Sequence, residues 1–195
     1  MRRPLKDLEV HYMLRGYFYA GTAIRDTDAL GGFAPSSNLP RSIGSGVGVG
    51  PGRISLVALP DAEIPFARRY RGMIVRLVNT TNEQLAFTAA DSRLSIIQEA
   101  IDRDGVWKPI EYLPSSWCGN SYHRVFLGAR QYWEFAAARY TGAFRTQLRF
   151  RLDVWRSADS VTTIFSNVFD GSVNERQFTV KQGHTPRGLA DPYYD

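Results

Sequence analysis

The stretch from Met73 to Val180 constrains this chain most. It is a succession of short apolar or alternating runs, each closed by a turn signal. Phe144–Trp155 shows the pattern most sharply. Phe144, Leu148, Phe150, Leu152 and Val154 share one parity, and Arg145, Gln147, Arg149, Arg151 and Asp153 share the other. Side chains of a strand alternate between faces, so one face is apolar and the other charged, as in a strand buried on one side. Further strands are expected at 73–79, 84–89, 95–101, 106–112, 122–127, 131–136, 162–168 and 177–180. Asp102-Arg103-Asp104-Gly105 reads as a type I′ hairpin turn, because Asp-Gly tolerates positive φ. Gly128-Ala129-Arg130 reads as a second hairpin. About nine strands with turns roughly every 8–12 residues predict an antiparallel β-sandwich of the immunoglobulin or fibronectin-III kind.

Upstream the pattern changes. Gly31–Pro40 and Gly44–Gly52 carry Gly and Pro at a density that resists helix and regular strand. Such a stretch suits an extended arm along a neighbour better than a free loop in a compact domain. The expected organisation is an extended Gly/Pro-rich N-terminal arm over 1–52, a β-sandwich over 53–182 and a polar tail over 183–195. Residues 53–59 predict a short strand. Residues 61–72 predict a helical turn from Asp61 with Gly72 as its stop. Whether residues 1–52 pack on their own sandwich stays open at this point.

Charge is uneven. Residues 1–76 hold 11 Arg and Lys against 6 Asp and Glu, whereas residues 77–195 hold 13 of each. A basic arm on a neutral domain points to an acidic partner: another protein subunit, an anionic membrane surface or nucleic acid. The residues expected at that contact are Arg2, Arg3, Tyr17, Phe18, Tyr19, Arg68, Arg69 and Arg71. Arg68-Arg69-Tyr70-Arg71 is the densest basic run, and its aromatic neighbours resemble nucleic-acid contacts. No apolar run reaches signal-peptide or membrane-span length, which predicts a cytoplasmic protein, with attachment to a membrane complex left open.

Motifs for chemistry are sparse. With one cysteine, Cys118, an internal disulfide and a four-cysteine zinc site are impossible. Cys118 and His123 lie close enough in sequence for a thiolate–imidazole pair, yet no third ligand follows at useful spacing, so neither a metal nor a cofactor is expected. An EF-hand loop from Asp102 would need Gly at its sixth position and Glu at its twelfth, where Trp107 and Leu113 stand. Gly46, Gly48 and Gly50 lack the following helix that would hold a phosphate. Glu99, Glu111 and Glu134 fall in predicted strands without a spacing that makes them converge. Trp117 is different, because it sits in a loop between Ser116 and Cys118, where a large aromatic has no core to fill. With Asn120 and Tyr122 it defines a candidate ligand surface, for which carbohydrate fits best. The expectation is a non-enzymatic subunit of a larger assembly, with a carbohydrate-binding module as the first alternative and a hydrolase or metal site at Cys118 and His123 as the last.

Overall fold

The computed structural model describes residues 4–44, 49–157, 160–188 and 191–195. The chain is all-β, with several antiparallel sheets. Among the described residues, ten strands have three residues or more: β1 (Ile54–Phe66), β2 (Tyr70–Asn79), β3 (Leu85–Ala90), β4 (Ile96–Ile101), β5 (Trp107–Pro109), β6 (Tyr122–Leu127), β7 (Gln131–Ala138), β8 (Phe144–Ser157), β9 (Ser160–Phe165) and β10 (Phe169–Val173). No helix among them is long and apolar enough to cross a membrane.

Three sheets contribute to the core. The first runs Arg41–Ser42, β7, β2, β1, and the second runs β9, β8, β4, β5, with β10 following β9 along the same edge of β8. A smaller sheet pairs β6 with β3 and β3 with Arg93–Leu94. The alternation of β8 sends Leu148, Phe150, Leu152 and Val154 into the core, where they meet Met73, Val75 and Leu77 of β2 and Trp133 and Phe135 of β7. Burial of these side chains is the main drive for folding, at roughly 1.5–3 kcal/mol each.

Several local expectations give way to tertiary packing. The helical turn from Asp61 does not form. β1 instead runs through it to Phe66, with a register shift between Leu59 and Glu63 that absorbs Pro60, Asp61 and Ala62. Gly72 is no helix stop: a Cβ there would lie 2.7 Å from the Ala137 carbonyl oxygen, so glycine is what lets β2 approach β7. At 102–105 a hairpin forms between β4 and β5, but only Gly105 has positive φ, which rules out a type I′ turn. The Asp102 carboxylate shapes it by accepting the N–H groups of Asp104 and Val106. Gly128–Arg130, by contrast, is not a hairpin: β6 pairs with β3 while β7 pairs with β2, so the chain changes sheets there. The strand expected at 177–180 is replaced by a 3₁₀ turn, Glu175–Phe178.

The N-terminal segment lies on its own domain. Leu8, Val10, Phe18 and Ala20 are core residues. Lys6 brackets the β1–β2 turn through its backbone, accepting from Arg71 and donating to Arg69. Leu14–Arg15 pairs in parallel with Glu111–Tyr112. Asp26 anchors the following loop by accepting from the backbone and guanidinium of Arg124, and Arg41–Ser42 adds to β7. The tail returns too, because Tyr193–Tyr194 pairs with Ser115–Ser116.

Candidate ligand-binding surface

β8 ends on an exception to its own pattern. Trp155 follows the charged parity, and it is 49% exposed. It lines a groove of about 400 Å³ with Tyr122, which is 44% exposed. Ala89, Ala90, Leu94 and Pro114 line the same groove, and Thr88, Ser95, Ser115 and Arg93 add polar groups. Tyr194 stands directly across from Ser115 in the antiparallel pair, hence on the same face of that ladder, and is also largely exposed. Two half-exposed rings beside an apolar floor with polar groups around it have the chemistry to stack on an apolar ligand face and hydrogen-bond its edges.

The predicted ligand residues divide around this groove. Tyr122 lines it, its hydroxyl donating to the Ser116 carbonyl at 3.3 Å. Trp117 and Asn120 are exposed on the loop that follows Ser116 and do not line it. Trp117 is fixed by its backbone N–H, which donates to Pro192 of the tail. Trp155 and Tyr194 were not among the residues expected to bind a ligand. The signal for Trp155 was its parity, an aromatic among arginines and aspartate on the wet face.

Cys118 and His123 are engaged separately. His123 is buried, stacked on Phe33 at 3.7 Å between ring centroids, with Nε2 at 3.3 Å from the Ser92 hydroxyl. Burial holds the imidazole below its ordinary pKa, favouring the neutral ring. Ser92 in turn donates to the Ala34 carbonyl at 2.8 Å, so its hydroxyl proton serves the fold. Cys118 makes backbone contacts with the Ser116 hydroxyl, and no hydrogen bond joins it to His123. Among the described residues, no three His, Cys, Asp or Glu side chains are grouped to hold a metal ion.

The residues assigned to an arm contact are dispersed. Arg2 and Arg3 lie outside the described residues. Phe18 is fully buried against Phe135 and Phe150 and is unavailable to a partner. Tyr17 stacks on Phe18, and its hydroxyl points into the core, whereas Tyr19 is exposed. Arg71 is paired with Asp7 and Glu63. Arg68 and Arg69 sit exposed at the tip of the β1–β2 hairpin, where Ala67 and Arg68 take positive φ. Neither makes an ion pair among the described residues.

Glu111 is the most perturbed acid. It is fully buried and accepts from the hydroxyls of Tyr17 and Tyr140, each at 2.6 Å, and from the Gln98 N–H at 2.9 Å. Burial pushes its carboxyl up to about 7, against the opposing pull of those three donors. Burial also raises both tyrosines. The cluster ties the N-terminal segment to the core through the Tyr17 hydroxyl. The chain matches no protein-family model, no curated protein and no solved structure.

Proposed function

We propose that the chain is a non-catalytic binding module, an immunoglobulin- or fibronectin-III-like sandwich whose outer face holds a carbohydrate across Tyr122 and Trp155. The observation that carries this is the pair of half-exposed rings lining one groove with an apolar floor. A pyranose ring offers a C–H face that stacks on such rings and a rim of hydroxyls. Arg93, Ser95 and Ser115 supply polar groups along the groove for that rim. Arg93 suits the role because its guanidinium is already ordered, donating to the Pro114 carbonyl and stacked over Tyr193 at 5.1 Å. The test is affinity electrophoresis through gels containing soluble neutral polysaccharides. Wild-type protein should be retarded in at least one gel, and Trp155→Ala should run at its unretarded mobility with an unchanged Tm. Retardation that survives Trp155→Ala and Tyr122→Ala together would remove the groove from consideration.

A second reading keeps the chain as a subunit of a larger assembly meeting an acidic partner, whether protein, anionic membrane or nucleic acid. The tip of the β1–β2 hairpin favours it, since Arg68 and Arg69 are exposed there without carboxylate partners among the described residues. Such cations contribute to association mainly through long-range attraction and lose force with salt. Gently purified protein should then co-migrate with a larger particle, and the double change Arg68→Ala, Arg69→Ala should release it as a monomer. Wild-type protein running as a lone monomer from its own cells counts against this reading.

A further inference from the structure

Exposed sheet edges invite pairing with another strand, so folded proteins block them. Most edges here are blocked visibly. Asn167 plugs β1, its side-chain amide accepting from the Ala58 N–H and donating to the Ala58 carbonyl. The Asp26 carboxylate takes the Arg124 N–H on β6. β5 is only three residues long and carries Lys108 and Pro109. Among the described residues, β9 has no such device. Its sequence, Ser-Val-Thr-Thr-Ile-Phe, holds no charge and no proline, and five of its six residues are exposed.

Hydrogen-bond parity fixes what the free edge offers. Phe150 of β8 exchanges bonds with Ser166, and Asp153 donates the other way, to Ser95 beside β4. Even-numbered residues of β8 therefore address the β9 side. Since Leu152 faces Ile164 and Val154 faces Thr162, those β9 residues spend their backbone groups on β8. Val161, Thr163 and Phe165 are left pointing their N–H and C=O groups outward. The same three residues place their side chains on the outer face, opposite Trp155, Asp153 and Arg151.

We propose that this edge pairs with the β9 edge of a second copy, antiparallel about a two-fold axis through Thr163. The three free residues are symmetric about Thr163. Thr163 meets the second copy's Thr163, and Val161 meets the second copy's Phe165 and the reverse, each pair exchanging both of its backbone bonds. Registers shifted by two residues leave some of these groups unpaired, and shifts of one put inward side chains on the wrong face. Side-chain rows across the joint also match. One row reads Trp155, Val161, then the second copy's Phe165 and Arg151, an apolar strip ending in a cation. Phe165 is already held as one wall of a stack, with the Arg149 guanidinium 3.8 Å from its centroid and 4.2 Å from that of Trp107. The central row carries Asp153 from each copy, separated by two strands, about 14 Å, which salt screens. Thr163 further occupies Asp153 with a hydrogen bond at 2.9 Å. A strand-edge joint buries less area than a standard interface, so Kd should be on the order of 10 µM or weaker.

Cysteine crosslinking in a Cys118→Ser background tests the register. Opposed residues of a hydrogen-bonded pair have Cα atoms about 5.5 Å apart, within disulfide reach. Under mild oxidation Thr163→Cys should give a covalent dimer and Thr162→Cys should not. Sedimentation of the wild-type chain should show a concentration-dependent dimer, abolished by Thr163→Pro, whose lost N–H is not used by β8. Tm should stay unchanged in that variant. If Thr163→Pro misfolds, the crosslinking pair decides alone. Monomeric wild-type protein at every concentration, a dimer that survives in folded Thr163→Pro, or equal crosslinking at 162 and 163 would each overturn the proposal.

Discussion

Glu111→Ala should lower folding stability by about 4 kcal/mol at pH 5, the largest single-residue loss expected among the polar side chains. The change strands the hydroxyls of Tyr17 and Tyr140 and the Gln98 N–H in the core without an acceptor, and it opens a cavity. The loss should depend on pH in a defined direction. Burial raises the folded carboxyl from an ordinary value of 4.5 to about 7. Between those values the folded state holds a proton that the unfolded chain has released, so stability falls as pH rises. The fall amounts to roughly 3 kcal/mol across the window and levels off above pH 7. Below pH 4 the opposite slope takes over. Asp26, Asp102 and Asp191 have depressed values, and their contribution is lost as they protonate. Wild-type stability should therefore peak in mildly acidic buffer. In Glu111→Ala the decline between pH 5 and 7 should vanish, leaving a deficit of about 1 kcal/mol at pH 8. Denaturant melts of both proteins across that range check it, and parallel pH slopes would show that Glu111 does not titrate there.

The strength of period-2 patterning explains what the sequence revealed. β8 is legible because its two faces meet different solvents, and the pattern needs no knowledge of the partner strand. β4 is harder, since Ile96, Ile97, Gln98, Glu99 and Ala100 are all buried. Glu99 is covered from outside by Arg149 and Arg151, which pair with it. Pairing itself is not local information. β6 and β7 look like a hairpin because their turn residues are right, yet each finds a different sheet. The N-terminal segment misled for a related reason. Phe18 is separated by scores of residues from Phe135 and Phe150, and nothing near it in sequence announces that it fills their core. Its neighbour Tyr17 became the partner of Glu111 the same way, 94 residues away in sequence.

The candidate surface was legible in part. Loop position singled out Trp117, with Asn120 and Tyr122 as its neighbours, and all three are exposed. Loop position alone did not find the groove, because Trp155 lies on a strand and Tyr194 in a tail whose pairing with Ser115–Ser116 is distant in sequence. Exposure on the charged parity of a strand is the better signal, since it requires that the aromatic be kept out of the core.

Asn79 should prove nearly as sensitive as Glu111, for a topological reason. The chain changes sheets twice at one end of the molecule, after β2 and after β6, and Asn79 holds both crossings. Its amide nitrogen donates to the carbonyls of Glu83, Leu127 and Gly128, and its oxygen accepts the N–H and hydroxyl of Thr81. The residue is fully buried, so water cannot replace what is removed. Asn79→Ala should cost about 3 kcal/mol, most of it from carbonyls left unsatisfied. Asn79→Asp tests the donor alone. It keeps the oxygen that serves Thr81 and turns an acceptor toward three carbonyls. The loss should exceed that of alanine at pH 7, where the acid must either carry a buried charge or take up a proton. Because burial and the facing carbonyls raise its folded pKa, stability should recover as pH falls toward 4, when a neutral carboxyl donates one hydrogen bond again. Thermal melts at pH 4.5 and 7 separate the two variants: the alanine deficit should stay nearly constant, and the aspartate deficit should shrink. An aspartate variant as stable as wild type at pH 7 would mean that the crossings are held by packing and backbone turns alone.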